Sequence, residues 1–403
     1  MKKIRVTYGL SVHDENEIKA VNAVLKTSTQ MGKNVFNFEK KISKLFQKKY
    51  GLMVNSGTSA LFLALESLGL PRYSEVITPV LTFSTTVSSI IKNNLIPVFI
   101  DVKENTYCID ESKIENLISK KTKVISVPNL IGNIPDWQVI YKIAKKYKLI
   151  IIEDSADALG AKYNSISTGK FSDISITSFY GSHIINCAGN GGMVCFNNVK
   201  YYKKAKLLRS WGRNSSLFQE SEKIKNRFNI SLNNIPYDSK FVFSEIGYNF
   251  EPSEIGAAFG LEQLKKLNKN ISLRERNFKL HNNFFKKYSQ WFNLPQQLNK
   301  VKTGWLAYPL KIKKNKYFDR RALQIFLEKN NIQTRVIFTG NILKQPGFKK
   351  IKKRITKEGY PVADDVMRGG FMIAVHHGLD LKMINYIYSK FDKFMKIKFK
   401  KLI

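Results

Sequence analysis

The amino-acid sequence predicts an α/β protein with a mostly parallel central sheet flanked by helices and a smaller C-terminal α/β domain. Through roughly the first 200 residues, short apolar runs alternate with helical stretches, which implies parallel strands joined by crossover helices. From about Leu273 the sequence becomes rich in Lys, Asn and Phe. Because 403 residues are enough for two domains, we predict a large domain over 1–270 and a small one over 271–403.

The individual elements follow from the spacing of apolar residues and from the turn residues between them. Helical spacing predicts helices over 14–27 and 35–48, with Asp14 as the cap of the first. A further helix is expected to begin within 79–84. Short apolar runs predict strands, the later ones separated by helical stretches, over 50–54, 76–78, 96–101, 124–128 and 149–153. Beyond 273 we predict a long helix, then a strand, a helix and a strand over 305–312, 319–329 and 333–338.

The chain is strongly basic. Its 67 Lys and Arg residues against 31 Asp and Glu residues give a formal net charge of +36. The lysines are spread along the chain without a basic helix carrying interleaved aromatics, so we predict no nucleic-acid partner and favour an anionic small substrate. No apolar run is long enough to cross a bilayer, and the opening residues do not resemble a signal peptide. We therefore expect a cytoplasmic protein with no membrane partner.

Three cysteines, Cys108, Cys187 and Cys195, are present. They are too few and too poorly spaced for a disulfide framework or a metal site. We therefore predict no metal and a reducing compartment.

The segment over 174–196 has the strongest functional signal. An apolar run ends at Ser178, a loop carries a single histidine, His183, and a glycine-rich turn at 189–192 leads into a second apolar run. This pattern predicts strand, loop, strand, with a polar side chain displayed between two buried elements. A histidine that only caps a strand would give the same pattern, so its assignment depends on the other candidate residues.

Two further segments place polar groups where a parallel sheet binds ligands. Small residues over 55–60 follow a short strand and open an apolar helix, so the N–H groups of Gly57 and Thr58 face a position that favours an anion. Asp154 ends an apolar run and Asp157 follows it. A carboxylate at the carboxyl end of a buried parallel strand lies at the usual ligand crevice of such sheets.

The sequence from Ser178 resembles the cofactor segment of the DegT/StrS-type sugar-nucleotide aminotransferases, fold-type I enzymes that depend on pyridoxal phosphate (PLP). Their frame is S-F-x-x-x-K followed by a glycine-rich turn, and here His183 stands in the place of the lysine. That exchange marks a branch of the superfamily, the sugar-nucleotide 3-dehydratases. The turn SGTSAL at 56–61 also resembles the phosphate-binding turn of the family. The resemblance covers essentially the whole chain.

The resemblance implies roles for further residues. Asp154 would contact the protonated pyridine nitrogen of the cofactor, and Asp157 would lie near the ring hydroxyl, where the dehydratases tend to carry an acid. Phe83 would lie against the pyridine ring, and Ser178 belongs to the same cofactor site. Asn249, in a G-Y-N loop, would reach the cofactor phosphate of a neighbouring subunit, which implies a homodimer with shared active sites. The predicted substrate contacts are Arg335, Asn341 and Trp211.

The histidine changes the chemistry that the resemblance implies. A lysine would hold PLP covalently and also move a proton, whereas a histidine can only act as the base, for which its pKa is suited. We therefore expect pyridoxamine phosphate (PMP) held non-covalently, with His183 as the catalytic base. The implied reaction is C3 dehydration of a nucleotide-activated 4-keto-6-deoxyhexose, in the synthesis of dideoxysugars for O-antigen or other polysaccharides. Glutamate is the expected amino donor.

Two variants of this branch differ in an iron–sulfur cluster. The segment over 211–250 looks more like the CDP-sugar variant, which carries a cluster on cysteines. Ser215 and Ser216 nevertheless stand where those cysteines are expected, and no cysteine follows Cys195. We predict no iron–sulfur cluster, and CDP and GDP both stay open as the nucleotide. The loop after His183 is one residue longer than the usual frame, with Asn190 near the usual glutamate.

Two other functions are compatible with the sequence. The chain could be a sugar-nucleotide 4-aminotransferase that uses another lysine, of which Lys170 is the nearest before the loop but precedes a strand. It could also be an inactive homologue that only binds a nucleotide sugar. The adjacent residues His376 and His377 follow an apolar run, and we predict that they are peripheral to the site.

Overall fold

The computed structural model describes residues 4–218 and 222–399, and its centre is a seven-stranded sheet. The order across the sheet is β1-β9-β8-β5-β4-β2-β3. All neighbours are parallel except β9, which runs antiparallel to both of its partners. The seven strands are β1 (Tyr50–Val54), β2 (Glu75–Pro79), β3 (Ile96–Ile100), β4 (Thr122–Pro128), β5 (Ile150–Asp154), β8 (Ile174–Ser178) and β9 (Gly192–Phe196). The predicted mostly parallel α/β sheet is confirmed.

Helices cover the sheet and continue through the rest of the chain. The first six are α1 (Glu15–Leu25), α2 (Lys33–Leu45), α3 (Gly57–Glu66), α4 (Ser84–Lys92), α5 (Trp137–Tyr147) and α6 (Val199–Arg209). The remaining six are α7 (Ile224–Arg227), α8 (Glu254–Lys265), α9 (Leu267–Phe285), α10 (Arg320–Lys329), α11 (Pro361–Gly369) and α12 (Leu381–Phe399). Within the described residues, no helix is both long and apolar enough to span a bilayer.

A second, four-stranded antiparallel sheet lies in the C-terminal part of the chain, in the order β12-β14-β16-β15. Its strands are β12 (Phe292–Asn293), β14 (Ala307–Ile312), β15 (Arg335–Val336) and β16 (Gly370–Ala374). Two smaller sheets complete the fold. One contains β6 (Lys162–Tyr163), β7 (Ile166–Ser167) and β13 (Val301–Lys302), and the other is the hairpin of β10 (Ile230–Leu232) and β11 (Ile235–Tyr237).

The central sheet is buried on both faces, as a parallel sheet in an α/β protein requires. Successive side chains alternate between two hydrophobic clusters: Ile152 belongs to one and Ile151 to the other, and the same holds for Val76 and Ile77. This explains why the strands have continuous apolar sequences. The strand ends therefore become the place where polar side chains are displayed.

The boundaries of several elements differ from those predicted. Asp14 caps α1 as expected: its side chain accepts a hydrogen bond from the N–H of Asn16, and the side chain of Glu17 accepts one from the N–H of Asp14. The helix expected within 79–84 begins only at Ser84. Between β3 and β4 the structure has two short 3₁₀ turns in place of the expected helix. There Asn105 and Tyr107 adopt positive φ angles of 64° and 62°, which interrupt regular helix.

The predicted boundary after residue 270 falls inside α9. The two large sheets lie on opposite sides of that position in the sequence, but one hydrophobic cluster joins Val80 and Phe99, near the first sheet, to Tyr308 and Phe371 of the second. The N-terminal segment also crosses over, since Val6 forms a parallel bridge with Ile332. The division into two domains stays a prediction.

Candidate active site

The candidate site is a cavity of about 320 Å³ at the carboxyl ends of the parallel strands. Its walls come from the segments that follow β1, β2, β4, β5 and β8, which is where open α/β sheets bind ligands. The structure brings together seven of the predicted residues in the lining: Gly57, Thr58, Phe83, Asp154, Asp157, Ser178 and His183.

The first wall is the N-terminus of α3. Ser56 caps this helix, and its Oγ accepts a hydrogen bond from the N–H of Ser59 at 3.2 Å. Gly57 and Thr58 precede that donor in the first turn, where no helix carbonyl can accept from their N–H groups. A Cβ atom on Gly57 would lie 2.7 Å from the Cβ of Ser178. Glycine is therefore needed here, because β8 ends directly against the helix.

Asp154 forms the floor of the cavity at the end of β5 and is only 6% exposed. Its Oδ1 accepts from the N–H of Ala156 at 3.1 Å, and its Oδ2 accepts from the hydroxyl of Thr86 at 3.4 Å. Burial raises the pKa of this carboxyl to about 6, against the opposing effect of these hydrogen bonds. A buried carboxylate in this state would be stabilised by a cationic partner.

Asp157 lies three residues beyond Asp154 and is fixed by the backbone of the segment after β4. Its Oδ2 accepts from the N–H of Ile131 at 2.9 Å. Ile131 has a φ of 62°, an unusual value for a β-branched residue, so this N–H is held in place at a cost in backbone energy. Burial, with a contribution from the charge of Asp154, raises the pKa of Asp157 to about 7.

His183 faces Asp157 from the loop between β8 and β9. Its Nδ1 lies 3.0 Å from the carbonyl oxygen of Ser178. Because a carbonyl can only accept, Nδ1 carries the proton and the lone pair is on Nε2. Burial lowers the pKa of His183 to about 4, although its bond to the Ser178 carbonyl opposes that change. At neutral pH the imidazole is therefore uncharged and able to accept a proton at Nε2.

The mouth of the cavity is aromatic. Phe83 is 52% exposed, and its ring packs edge-on against Phe338 with centroids 5.9 Å apart. Tyr8, from the N-terminal segment, and Tyr180, from the His183 loop, also line the cavity. The sequence analysis did not identify Tyr8, Tyr180 or Phe338. Tyr180 could have been found from its place three residues before His183, but Tyr8 belongs to no motif.

None of the described residues that line the cavity is a lysine. Lys170, the lysine considered as a substitute, lies in a short 3₁₀ helix at Thr168–Phe171, is exposed and does not reach the cavity. Asn190, from the longer loop, does line it. Among the described residues no cluster of metal-ligating side chains is present.

Four predicted residues lie outside this cavity. Arg335 is exposed over the ring of Tyr8, at 5.5 Å from its centroid, and lines an adjoining space that shares Tyr8, Phe83 and Phe338 with the site. Trp211, with a φ of 60°, lines a separate cavity under the guanidinium of Arg213.

The other two residues outside the cavity are Asn249 and Asn341. Asn249 is exposed, and its Oδ1 accepts a hydrogen bond from the N–H of Glu251 at 3.4 Å. Asn341 is buried, donates to Asp364 at 2.7 Å and accepts from the N–H of Leu343 at 3.0 Å. Because both ends of the Asn341 amide are already bonded, the predicted substrate contact would require it to leave these partners.

His376 and His377 do not line the cavity, and the prediction that they are peripheral to the site stays a prediction. Both side chains are buried, because they follow directly after the central strand β16 of the second sheet. His377 accepts a hydrogen bond from Arg274, which in turn binds the carbonyl oxygen of His183. The pair is therefore connected to the loop that carries the candidate base.

The model of the DegT/DnrJ/EryC1/StrS aminotransferase family matches residues 11–392. The chain belongs to this family. Its members depend on PLP and act on sugar nucleotides. The chain is therefore a PLP-dependent sugar-nucleotide enzyme, and the predicted fold-type I architecture is confirmed.

Similar relatives include a lipopolysaccharide biosynthesis protein RfbH from Salmonella typhimurium, which is 34% identical over 90% of this chain and 85% of its own length. A dTDP-4-dehydro-2,6-dideoxy-D-glucose 3-dehydratase from Saccharopolyspora spinosa is 32% identical over 96% and 86%. Among solved structures, an Escherichia coli GDP-4-keto-6-deoxy-D-mannose-3-dehydratase with bound hydrated PLP has a TM-score of 0.87, with 27% identity over 96% of this chain and all of that one. Transaminases are also among the relatives, at 30% identity.

The gathered residues fit the cofactor of this family. The unpartnered first-turn donors at Gly57 and Thr58 suit a phosphate group, and the buried carboxyl of Asp154 suits a protonated ring nitrogen. Phe83 presents an exposed ring to the same space.

Proposed function

We propose that the chain catalyses C3 dehydration of a nucleotide-activated 4-keto-6-deoxyhexose, as a step in dideoxysugar synthesis for O-antigen or another polysaccharide. The observation that carries this proposal is the cavity itself: the described residues of its lining include a neutral histidine and no lysine. A transaminase of this family needs a lysine to hold PLP covalently. A dehydratase with PMP as its cofactor needs only a base, and that is what His183 offers.

The cofactor would be held by groups that this chain already presents. The N–H groups of Gly57 and Thr58, with the Thr58 hydroxyl, would bind the phosphate; Asp154 would pair with the pyridine nitrogen, and Phe83 would lie against the ring. Ser178 and Asp157 would border the opposite edge. When bound, the cofactor supplies an electron sink for the substrate.

The residues of the chain then control proton movement. His183 accepts a proton at Nε2, because Nδ1–H is bound to the Ser178 carbonyl and keeps the imidazole in that tautomer. The carboxyl of Asp157, 3.8 Å from Nε2, stabilises the imidazolium once it forms. His183 can then return the proton to the departing C3 hydroxyl, which leaves as water. His183 serves both steps because the same Nε2 accepts the proton and then returns it, and no described residue of the lining is a lysine that could share them.

We further propose a homodimer with shared active sites, a cytoplasmic location and glutamate as the amino donor. Support for the dimer comes from the segment around Asn249, where apolar side chains are left exposed, among them Ile246 at 95% and Ile235 at 63%. Asn249 is itself exposed beside them and can reach a neighbouring subunit. Arg335, Asn341 and Trp211 remain predicted substrate contacts, of which Arg335 is the nearest to the cavity mouth.

The test is incubation of the purified protein with PMP, glutamate and, in separate reactions, the GDP-, CDP- and dTDP-4-keto-6-deoxyhexoses. Mass spectrometry of the nucleotide sugar then distinguishes the candidates. Loss of one oxygen atom, giving a 3-deoxy ketone, is the expected result and identifies the nucleotide. Gain of an amino group would make the protein a sugar-nucleotide 4-aminotransferase. Binding without any change in mass would favour an inactive homologue.

The test variant is His183→Asn, which removes the base. Its matched control is His13→Asn, which alters an exposed histidine that packs against Phe259. Under the proposal, only the first variant loses dehydration, by about 100-fold or more. Equal activity in the two variants would contradict the assignment of His183 as the base.

A further inference from the structure

Arg274, on α9, is a buried arginine whose side chain is completely enclosed. Its Nη2 donates to the carbonyl oxygens of Ser182 and His183 at 3.2 and 3.1 Å. These are consecutive carbonyls of the loop that carries the candidate base. An arginine fork can bind two such acceptors at once, which a lysine cannot do with the same geometry.

The remaining donors of Arg274 bind two other parts of the chain. Nη1 donates to the carbonyl oxygens of Trp305 and Leu306 at 3.0 and 3.2 Å, just before β14. Leu306 also lines the cavity. Nε donates to Nδ1 of His377 at 3.2 Å. One guanidinium therefore joins the His183 loop to the wall of the second sheet.

All five acceptors of Arg274 are neutral groups. A buried charge whose hydrogen-bond partners are all neutral carries a large desolvation cost, and burial lowers the pKa of Arg274 to about 10, so it is still cationic at neutral pH. An apolar side chain would fill the same space without that cost. The need to fill this space therefore does not explain the arginine, whereas its donors and its charge do.

We propose that Arg274 is a positioning residue for His183, which fixes the loop backbone so that Nε2 points into the cavity and which keeps the imidazole uncharged before proton transfer. The part of this role that concerns proton transfer to His183 rests on the function proposed above. The geometric part stands on the bonds to the loop carbonyls of Ser182 and His183 and on the anchor at His377.

The charges around His183 support the second half of the proposal. Burial contributes most to its lowered pKa, and the cation of Arg274 lowers it further. The other groups on the elements packed around it are Asp157 after β5, Tyr180 on its own loop and Tyr8 from the N-terminal segment. Burial and the cation of Arg274 both disfavour the imidazolium, so the imidazole is uncharged until it accepts a proton. Asp157 lies on the cavity side, 3.8 Å from Nε2.

His377 is the anchor of Arg274. Its Nδ1 accepts from Arg274, so the imidazole must be neutral, and burial together with the arginine charge lowers its pKa to about 3. His376 beside it bonds to the carbonyl oxygen of Thr7 through Nε2. The two adjacent histidines thus connect Arg274 and the N-terminal segment to the same stretch of chain after β16.

The experiment follows the titration of His183 by NMR in the cofactor-free, full-length protein with labelled histidine. The chain has only five histidines, so His183→Asn identifies the signal. The variants are Arg274→Gln, which removes the charge, and Arg274→Lys, which keeps the charge but loses the fork. Arg276→Gln is the matched control, because Arg276 is two residues further along α9 and binds Asn277 and Leu379, not the loop.

In Arg274→Gln we expect the acid dissociation constant of His183 to fall about tenfold or more, since one pKa unit corresponds to about 1.4 kcal/mol of lost charge repulsion. Arg274→Lys should keep the His183 pKa nearer to the wild-type value but reduce kcat about 10- to 100-fold, with little change in KM. Arg276→Gln should change neither quantity. Identical His183 titrations in Arg274→Gln and Arg276→Gln would overturn the proposal, whatever reaction the enzyme catalyses.

A second pair of variants covers the case in which Arg274 substitutions do not fold. His377→Asn places an amide oxygen near the position of Nδ1 and keeps an acceptor for Arg274, whereas His377→Leu removes it. We expect kcat to fall several-fold more in His377→Leu than in His377→Asn, at equal thermal stability. Equal kcat in the two variants would show that the anchor does not act on the site.

Discussion

Nε2 of His183 and Oδ1 of Asp157 face each other across 3.8 Å. Each side chain is held from behind by a backbone group: Nδ1 by the carbonyl of Ser178 and Oδ2 by the N–H of Ile131. Burial moves their pKa values in opposite directions, to about 4 and about 7. Both neutral forms are therefore favoured while the cavity holds no charge, and a proton or a cationic ligand that enters would bind between two groups already in place.

Asp157→Asn should stabilise the cofactor-free protein at alkaline pH. The pKa of Asp157 rises on folding from 3.8 to about 7. Below pH 4 the carboxyl is protonated in both states and does not change the free energy of unfolding, whereas between pH 4 and 7 it ionises first in the unfolded state and lowers that free energy. The amide of Asn can still accept from the N–H of Ile131. We expect a gain in the free energy of unfolding on the order of 2–4 kcal/mol at pH 8.5 and almost none at pH 4.

Urea unfolding at the two pH values measures this effect. Glu358→Gln, at an exposed position, controls for the loss of one negative charge from the surface. A stability difference between Asp157→Asn and the parent that stays the same at pH 4 and 8.5 would contradict the assigned pKa shift.

Gly57→Ala should weaken cofactor binding. A Cβ at residue 57 would lie 2.7 Å from the Cβ of Ser178, so the start of α3 or the end of β8 must move. We expect the Kd for PMP to rise about tenfold or more, since misplaced first-turn donors no longer converge on one phosphate. A spectrophotometric titration measures it. Gly347→Ala is the control, because an added Cβ there meets no atom within 4 Å.

A double variant tests the cause. Ser178→Gly removes the Cβ that the new methyl would meet, so Gly57→Ala with Ser178→Gly should bind PMP more tightly than Gly57→Ala alone. If the second substitution restores nothing, the steric explanation is wrong.

The sequence identified the residues that follow the strands, because each position was fixed by a local signal. Asp154 ends an apolar run, Gly57 opens a helix after a strand, and His183 interrupts a known frame. Tyr8 and Arg274 were not found, because they reach the site only through tertiary packing from the N-terminal segment and from α9. No spacing within the chain encodes such contacts.

The surroundings of three other residues were not predicted, for the same reason. A histidine pair after an apolar run has no pattern of its own, so the sequence did not indicate that His376 and His377 are buried after a central strand, although neither lines the cavity. Asn341 follows a threonine–glycine pair that suggests a ligand loop, but its amide caps a local turn and binds Asp364. A short polar side chain that completes a turn is difficult to distinguish from one that binds a ligand without the fold.

His183→Lys should attach PLP covalently and suppress dehydration. The imidazole lies in the cavity beside Ser178, so a lysine amine at this position can reach the aldehyde of PLP, whereas no other described residue of the lining is a lysine. We expect a yellow protein that retains the cofactor through dialysis and after borohydride reduction, with mass spectrometry placing the adduct at residue 183. A variant that releases PLP as readily as the parent would contradict the placement of His183.

Asn249 should act on the active site of a second subunit. If the site is shared, a dimer of His183→Asn with Asn249→Asp carries both substitutions at one site and none at the other. Mixing the two inactive variants under conditions of subunit exchange should therefore restore about one quarter of the parent activity, since about half of the dimers are mixed and half of their sites are intact. The measurement is dehydration after mixing, compared with each variant alone. Activity should return at the rate of subunit exchange. If the subunits exchange and activity does not return, Asn249 does not serve the neighbouring site.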